Sequence, residues 1–429
     1  MRSTKKKADA CFVGLILIGS VLVPSVAAAE DFRVEDAVKL ALANNERAKK
    51  APLRVEVAEG QLDRARSGFF PSLTAGATQQ WRFQEDRTGR STSNNGTLTI
   101  NQPILNPSLF PQYSQQSHQL ESEKWGSVQD RRQLAYETAR SFLQTLTAER
   151  VAQAAQQRLD RAKANLQNAE ARAAAGLASV NDATRASLDV ANAAQQVATA
   201  VGSAERARVG LGFLCGAEVK GALASPDRTT KQAESVNIAT QGDLDAARDR
   251  RPDVRASHER TEALRASAKE PNYRLIPTLG LTGQMRVLPD PQASERAHEE
   301  SITLNLQWQI FDNGGRYADR RTRLAQAESQ SLDEQLLRRS VDADVKSALA
   351  TLRAAREAYK VTEDAVAAAQ KSIEETEILY RQGLARAIEL TDANGRKFDA
   401  EVSRASAKLS MEQAYLELRF ALGYGPVDE

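Results

Sequence analysis

The sequence predicts a mainly helical protein with a membrane β component, built from one unit written twice. Three observations carry that reading: two long proline-free blocks, four segments of strict polar–apolar alternation, and landmarks that recur at a near-constant offset. The chain has 429 residues, of which 41% are hydrophobic, 27% charged and only 5% aromatic. Such a composition excludes disorder and collagen-like repeats. Alanine supplies much of the hydrophobicity, which favours helices in close contact over a bulky core.

The first element is an address. Residues 1–29 have a basic start, an apolar run from Cys11 to Val23, and small residues Ala27, Ala28 and Ala29 ahead of Glu30-Asp31. This is the pattern of a secretory signal peptide cut near Ala29. A lipoprotein signal would place its cysteine at the cut, whereas Cys11 stands at the start of the apolar run, so lipid anchoring is disfavoured. The formal charge of +2 includes Arg2, Lys5, Lys6, Lys7 and Asp9 of this segment, so the mature chain is close to neutral. A nucleic-acid binder held by a basic surface is therefore excluded. Cys215, the one thiol that remains, is expected as a small buried hydrophobe. With it and three scattered histidines, the material for a metal site or a cofactor is missing, and none is expected.

Beyond residue 29 no stretch reaches the roughly 18–20 apolar residues of a spanning helix, so any membrane crossing must be made by a β-barrel. Proline placement gives the organisation, because proline interrupts regular elements. Two proline-free blocks result, 112–225 and 292–425, and within the second the 66 residues from Tyr317 to Gln382 lack glycine as well. As helix they would span about 100 Å. Pro71-Ser72-Leu73 recurs as Pro277-Thr278-Leu279, and Gly176-Leu177-Ala178 recurs as Gly383-Leu384-Ala385. The reading is a first repeat over 30–216, a linker over 217–240 rich in small and polar residues, and a second repeat over 241–425. Each repeat runs short helix, strand, loop, strand, long helix, tight turn, helix.

Strands are expected at about 72–83 and 97–105, then at 278–287 and 302–311. In the first, Leu73, Ala75, Ala77, Trp81 and Phe83 alternate with Ser72, Thr74, Thr78 and Arg82. In the last, Ile302, Leu304, Leu306, Trp308 and Ile310 alternate with Thr303, Asn305, Gln307 and Gln309. One face is apolar and the other polar over close to the length of a transmembrane strand. The aromatics Trp81, Phe83 and Trp308 are candidates for a membrane-interface girdle. Four strands cannot close a barrel, since single-chain barrels start at about eight, so the barrel must be shared between protomers. Strand count alone leaves two, three or four copies open.

The long helices carry coiled-coil seams: Leu337, Val341, Val345, Ala348, Leu352, Ala355 and Tyr359 in one half, Leu159, Ala162, Leu166, Ala169 and Ala173 in the other. Any long soluble bundle would show the same stripe, so a soluble coiled-coil adaptor or structural protein is the alternative. Enzyme readings fail: Gly210-Leu211-Gly212 lacks the third glycine of a dinucleotide loop, and no phosphate loop or His-Glu-x-x-His is present.

Taken in order, Val34-Glu35-Asp36-Ala37, Arg251-Pro252-Asp253-Val254, the two Pro-x-Leu strand starts, Ile310-Phe311-Asp312-Asn313-Gly314, Tyr380-Arg381-Gln382-Gly383-Leu384 and Ala414-Tyr415 make the chain resemble the TolC-like outer membrane efflux protein family. The resemblance covers essentially the whole mature length. It implies a homotrimer whose shared twelve-stranded barrel in the outer membrane of a Gram-negative bacterium continues into a long helical barrel across the periplasm. It further implies a passive exit duct of a tripartite efflux or type I secretion system, docked to a periplasmic adaptor and an inner-membrane pump. By the same resemblance, Gly176, Leu177, Ala178, Ser179, Gly383, Leu384 and Ala385 are the adaptor-docking tips. Gate roles fall to Asp182, Tyr380, Glu389 and Asp392. The family's closed gates carry arginine where this chain has Ala385, so the usual inter-helix lock is altered and Arg386 is the candidate substitute.

Overall fold

The computed structural model describes residues 31–81, 83, 92–177, 179–235, 241–289, 291 and 296–426. The expected signal peptide, most of the first hairpin loop, Ala178 and the end of the linker lie outside them. The first half contains α1 (Val34–Asn44), α2 (Glu46–Ser67), β1 (Ser72–Trp81), β2 (Thr92–Leu105), α3 (Leu109–Ala174) and α4 (Val180–Cys215). After α5 (Asp227–Ser235), the second half repeats the order with α6 (Gln241–Arg250), α7 (Pro252–Tyr273), β3 (Thr278–Val287), β4 (His298–Gln307), α8 (Gly315–Arg381) and α9 (Ala387–Ala421).

The two long helices have 66 and 67 residues, so each is about 100 Å long. Such helices gain their stability from packing along their length. Each folds back on the next helix, α3 with α4 and α8 with α9, and α7 lies between α3 and α8. Val341, Val345, Ala348 and Leu352 of the expected seam are buried against Met411, Ala414 and Leu418 of α9, with Ala233 of α5 and Val254 of α7 completing the cluster. The matching cluster of the first half joins Ala37 and Val38 of α1, Phe142 and Leu143 of α3, and Leu211 and Cys215 of α4. Cys215 is fully buried, with its thiol pushed up to about 11 by desolvation. Small residues along both seams let the backbones approach closely, as the alanine-rich composition predicts.

Turns between elements are set by local chemistry. The Asn45 side chain accepts from Arg47 N (2.9 Å) to start α2 and donates to Leu214 O (2.9 Å) at the end of α4. Gly216 ends α4 in the left-handed region (φ 64°), and a Cβ there would lie 3.0 Å from Asn44 Cβ. Only glycine meets both demands. Pro52 and Pro271 sit inside α2 and α7, so proline bounds the long helices without ending every short one.

The four strands form one antiparallel sheet in the order β1-β2-β3-β4, leaving β1 and β4 as edges with no further strand among the described residues. Two strand boundaries correct the sequence expectation. β2 begins at Thr92 rather than near 97, because Asn94, Asn95 and Gly96 extend the ladder opposite Gln79, Thr78 and Ala77. β4 spans 298–307 rather than 302–311, because its partner starts at Thr278, which faces Gln307. Beyond that point the backbone is used otherwise: the Arg316 guanidinium takes the carbonyls of Gln309 (2.9 Å) and Ile310 (3.3 Å). Asp312 closes the strand-to-helix corner, accepting from Arg316 N (2.9 Å) and Arg316 Nε (3.0 Å), while Asn313 and Gly314 turn through positive φ. No helix among the described residues is long and apolar enough to cross a membrane.

Candidate functional site

The register places the apolar residues of all four strands on one face. Leu73 faces Ile100, Ala75 faces Leu98, Leu98 faces Met285, Leu281 faces Leu304, and Leu279 faces Leu306. Because side chains alternate with a period of two, pairing in this register joins four stripes into one continuous apolar surface. Within this single chain that surface is bare: Leu73 is 68% exposed, Ile302 81% and Leu306 69%. An apolar sheet face left uncovered calls for a non-aqueous neighbour. The opposite face is polar, with Thr282 Oγ1 donating to Asn101 Oδ1 (3.0 Å) and Asn305 Nδ2 donating back to Thr282 Oγ1 (3.4 Å).

The three expected girdle aromatics divide between the two ends of the sheet. Trp81 and Phe83 stand at the hairpin end. Trp308 stands at the helical end, its indole N–H donating to Leu275 O (3.0 Å). Phe70, Phe110, Phe311 and Tyr317, which the sequence reading did not name as girdle residues, are exposed at the same helical end. Their signal was present in sequence, as aromatics flanking every strand-to-helix junction, but they lie outside the alternating runs.

At the far end of the long helices the two tips have the same construction. Gly176 (φ 69°) and Gly383 (φ 78°) turn the chain, and Leu177 N–H reaches Arg172 O (2.8 Å) as Leu384 N–H reaches Leu379 O (2.9 Å). These six-to-one bonds close the helix ends, and they depend on a residue that tolerates positive φ. Leu177 and Leu384 are each 73% exposed, two equivalent apolar knobs standing clear of the bundle. Ser179 caps α4 by accepting from Asn181 N (3.2 Å). At the equivalent place before α9, Arg386 pairs with Glu389 of its own first turn (3.2 Å). Among the described residues it makes no bond to a second helix. Ala385 follows Gly383 and Leu384 in the second turn, while Ala178 lies outside the described residues.

Asp182 and Glu389 occupy first turns of α4 and α9, where a carboxylate suits the helix N-terminus. Asp392 is exposed one turn further on, and neither its carboxylate nor that of Asp182 has a partner among the described residues. Tyr380 is buried at the end of α8, and the group that holds it is Arg172 of α3. The guanidinium donates to Tyr380 O (2.7 Å) and lies 4.8 Å from the centre of its ring. Arg172 thus ties the first helical hairpin to the second at their tips. Two heptads earlier on α3, Arg158 forms a buried pair with Asp189 (3.2 Å) and sits 5.4 Å from the Phe398 ring of α9. Asn165 lies midway, its Nδ2 buried without a partner. The heptad series Arg158, Asn165, Arg172 beside an alanine seam was the sequence signal for these contacts. No group of residues that could hold a metal ion occurs among the described residues.

The sequence profile of the outer membrane efflux protein family matches residues 37–217 and 244–424, one match for each half. No curated protein matches this sequence. Among solved structures, the fold is similar to the outer-membrane channel OprN at TM-score 0.77, with 22% identity over 92% of this chain and 90% of that one. It is similar to the Campylobacter jejuni CmeC outer membrane channel at TM-score 0.78, with 17% identity over 92% and 87%. It is also similar to the Neisseria gonorrhoeae MtrE outer membrane channel at TM-score 0.77, with 20% identity over 92% and 89%. At such identities the likeness is one of fold.

Proposed function

Because the chain belongs to the outer membrane efflux protein family, whose members are non-enzymatic outer-membrane channels reaching into the periplasm, we propose that three copies assemble into the exit duct of a tripartite export system. The observation that carries this is the open sheet: four strands, apolar on one face and polar on the other, with both edges unpaired. Unpaired edges cannot remain in lipid, so neighbouring copies must supply the missing hydrogen bonds. Three copies give twelve strands, wide enough to leave a water-filled lumen lined by Asn101, Thr282 and Asn305. The soluble-adaptor alternative falls, since the family match spans both halves.

At the other end, the paired tips would meet a periplasmic adaptor through Leu177 and Leu384, with Gly176, Ser179, Gly383 and Ala385 shaping the turns. An inner-membrane pump would supply the energy, and the duct itself would be passive. Threefold symmetry would convert Glu389 and Asp392 into acidic rings, which concentrate cations at a constriction. Opening would require the second hairpin to part from the first, so the Arg172–Tyr380 contact would bias the tips toward closure until adaptor binding favours the parted state. Conductance in planar bilayers tests the reading. The purified protein should form cation-selective pores, and Glu389→Ala with Asp392→Ala should lower that selectivity. Absence of pores would overturn the duct, and unchanged selectivity would overturn the acidic rings alone.

A further inference from the structure

Eight of the basic residues crowd where the helices meet the strands, and the acidic groups there are too few to neutralise them. Glu270 binds Arg274 (2.8 Å) and Arg323 (3.1 Å), Asp319 binds Arg274 (2.9 Å), and Asp312 binds Arg316 (3.0 Å). With those carboxylates engaged, Arg64, Arg66, Lys269, Arg320 and Arg321 stand exposed, their side-chain charges without a hydrogen-bond or ion-pair partner among the described residues. Among the described residues within about 10 Å of these helix ends, Asp63 is the acidic residue left near them.

Their depth is fixed by helix geometry. Arg64 and Arg66 fall in the last turn of α2, Lys269 one turn from the end of α7, and Arg320 and Arg321 in the second turn of α8. At 1.5 Å per residue, all lie within about 10 Å of the helix ends that feed the sheet. With the sheet embedded, a headgroup layer about 5–8 Å thick would lie beside these helix ends, and the long stems of arginine and lysine bring the five charges within its reach, beneath exposed Phe70, Trp308 and Phe311. The exposed surface of α8 is itself two-sided. Tyr317, Arg320, Arg321 and Leu324 share one side by their spacing, while Thr322, Gln326 and Asp333 share the other, which carries no large apolar group between Gly315 and Asp333. Aromatic, leucine and arginine together suit a lipid–water boundary, and the polar side suits a lumen.

We propose that these five cations form a collar that binds the phosphate headgroups of anionic phospholipids in the periplasmic leaflet of the outer membrane. The collar rests on the sheet being embedded and is independent of the gate and of any partner protein. Bilayers containing brominated phosphatidylglycerol or brominated phosphatidylcholine test it, with quenching of the fluorescence of Trp308, in a variant whose Trp81 and Trp125 are phenylalanine, as the readout. The wild-type collar should prefer phosphatidylglycerol about fivefold for each cation a headgroup engages, since each is worth about 1 kcal/mol near an anionic surface. Replacing all five by glutamine should bring the preference close to one. Inorganic phosphate at constant ionic strength should not displace the lipid. Equal quenching by the two lipids with the five cations intact overturns the proposal without any collar variant, as does a preference that survives in the glutamine variant. Displacement by phosphate would make this a free-phosphate site instead and would also overturn it.

Discussion

Single side chains decide how the two hairpins are held together. Arg172 donates a charged hydrogen bond to Tyr380 O and stacks on its ring, contributions that together amount to about 2 kcal/mol. Arg172→Ala should therefore raise pore conductance or open probability in planar bilayers several-fold, while Arg381→Ala, exposed beside it, should not. Glu412 is a second such residue. Buried between α9 and α5 with Thr230 Oγ1 at 2.6 Å, its carboxyl is pushed up from the usual range, chiefly by desolvation. A carboxyl with a raised folded-state pKa binds its proton more tightly in the fold. It therefore favours folding most below the unfolded value near pH 4.5, and that contribution is lost as pH rises through the folded value. Glu412→Gln should flatten this part of the pH dependence and raise the melting temperature at pH 7, read by thermal unfolding of the detergent-solubilised protein across a pH series. Glu412 did not announce itself in the sequence, and Arg172 showed there only as one member of a heptad series, since the partner of each lies on a helix far away in the chain.

Among elements, the sheet and the long helices obey different solvents. Leu304 and Thr303 are neighbours on β4, yet their side chains point to opposite faces, one toward lipid and one toward the polar side. Leu304→Arg should cost about 2–4 kcal/mol and abolish assembly in a folding assay with lipid vesicles. Thr303→Arg should assemble and shift ion selectivity. The strands were legible because alternation with a period of two is written in neighbouring residues. Their ends were not: β4 stops at Gln307 because β3 and Arg316 claim the backbone around it, a competition settled only in three dimensions. In the helices, the Val341–Leu352 seam was readable from its spacing, and its burial against Met411 and Leu418 follows from the same periodicity.

At the scale of the whole molecule, one chain is an incomplete object, with an apolar sheet face uncovered and two strand edges unpaired. Its mass in detergent, measured by light scattering with the detergent contribution subtracted, should be three times that of the chain, and a monomer would contradict the shared barrel. Duplication, long helices, tips and membrane-length strands were determined by the sequence itself, because each is encoded in spacings of a few residues that fix a local conformation and a face. The tertiary structure alone decided that Tyr380 is held by Arg172, that Arg386 pairs with Glu389 of its own turn, and that the charges of five cations near the sheet have no partner among the described residues. These are contests between groups for the same partner, and a contest of that kind has no outcome until the competing groups are brought within a few ångströms of one another.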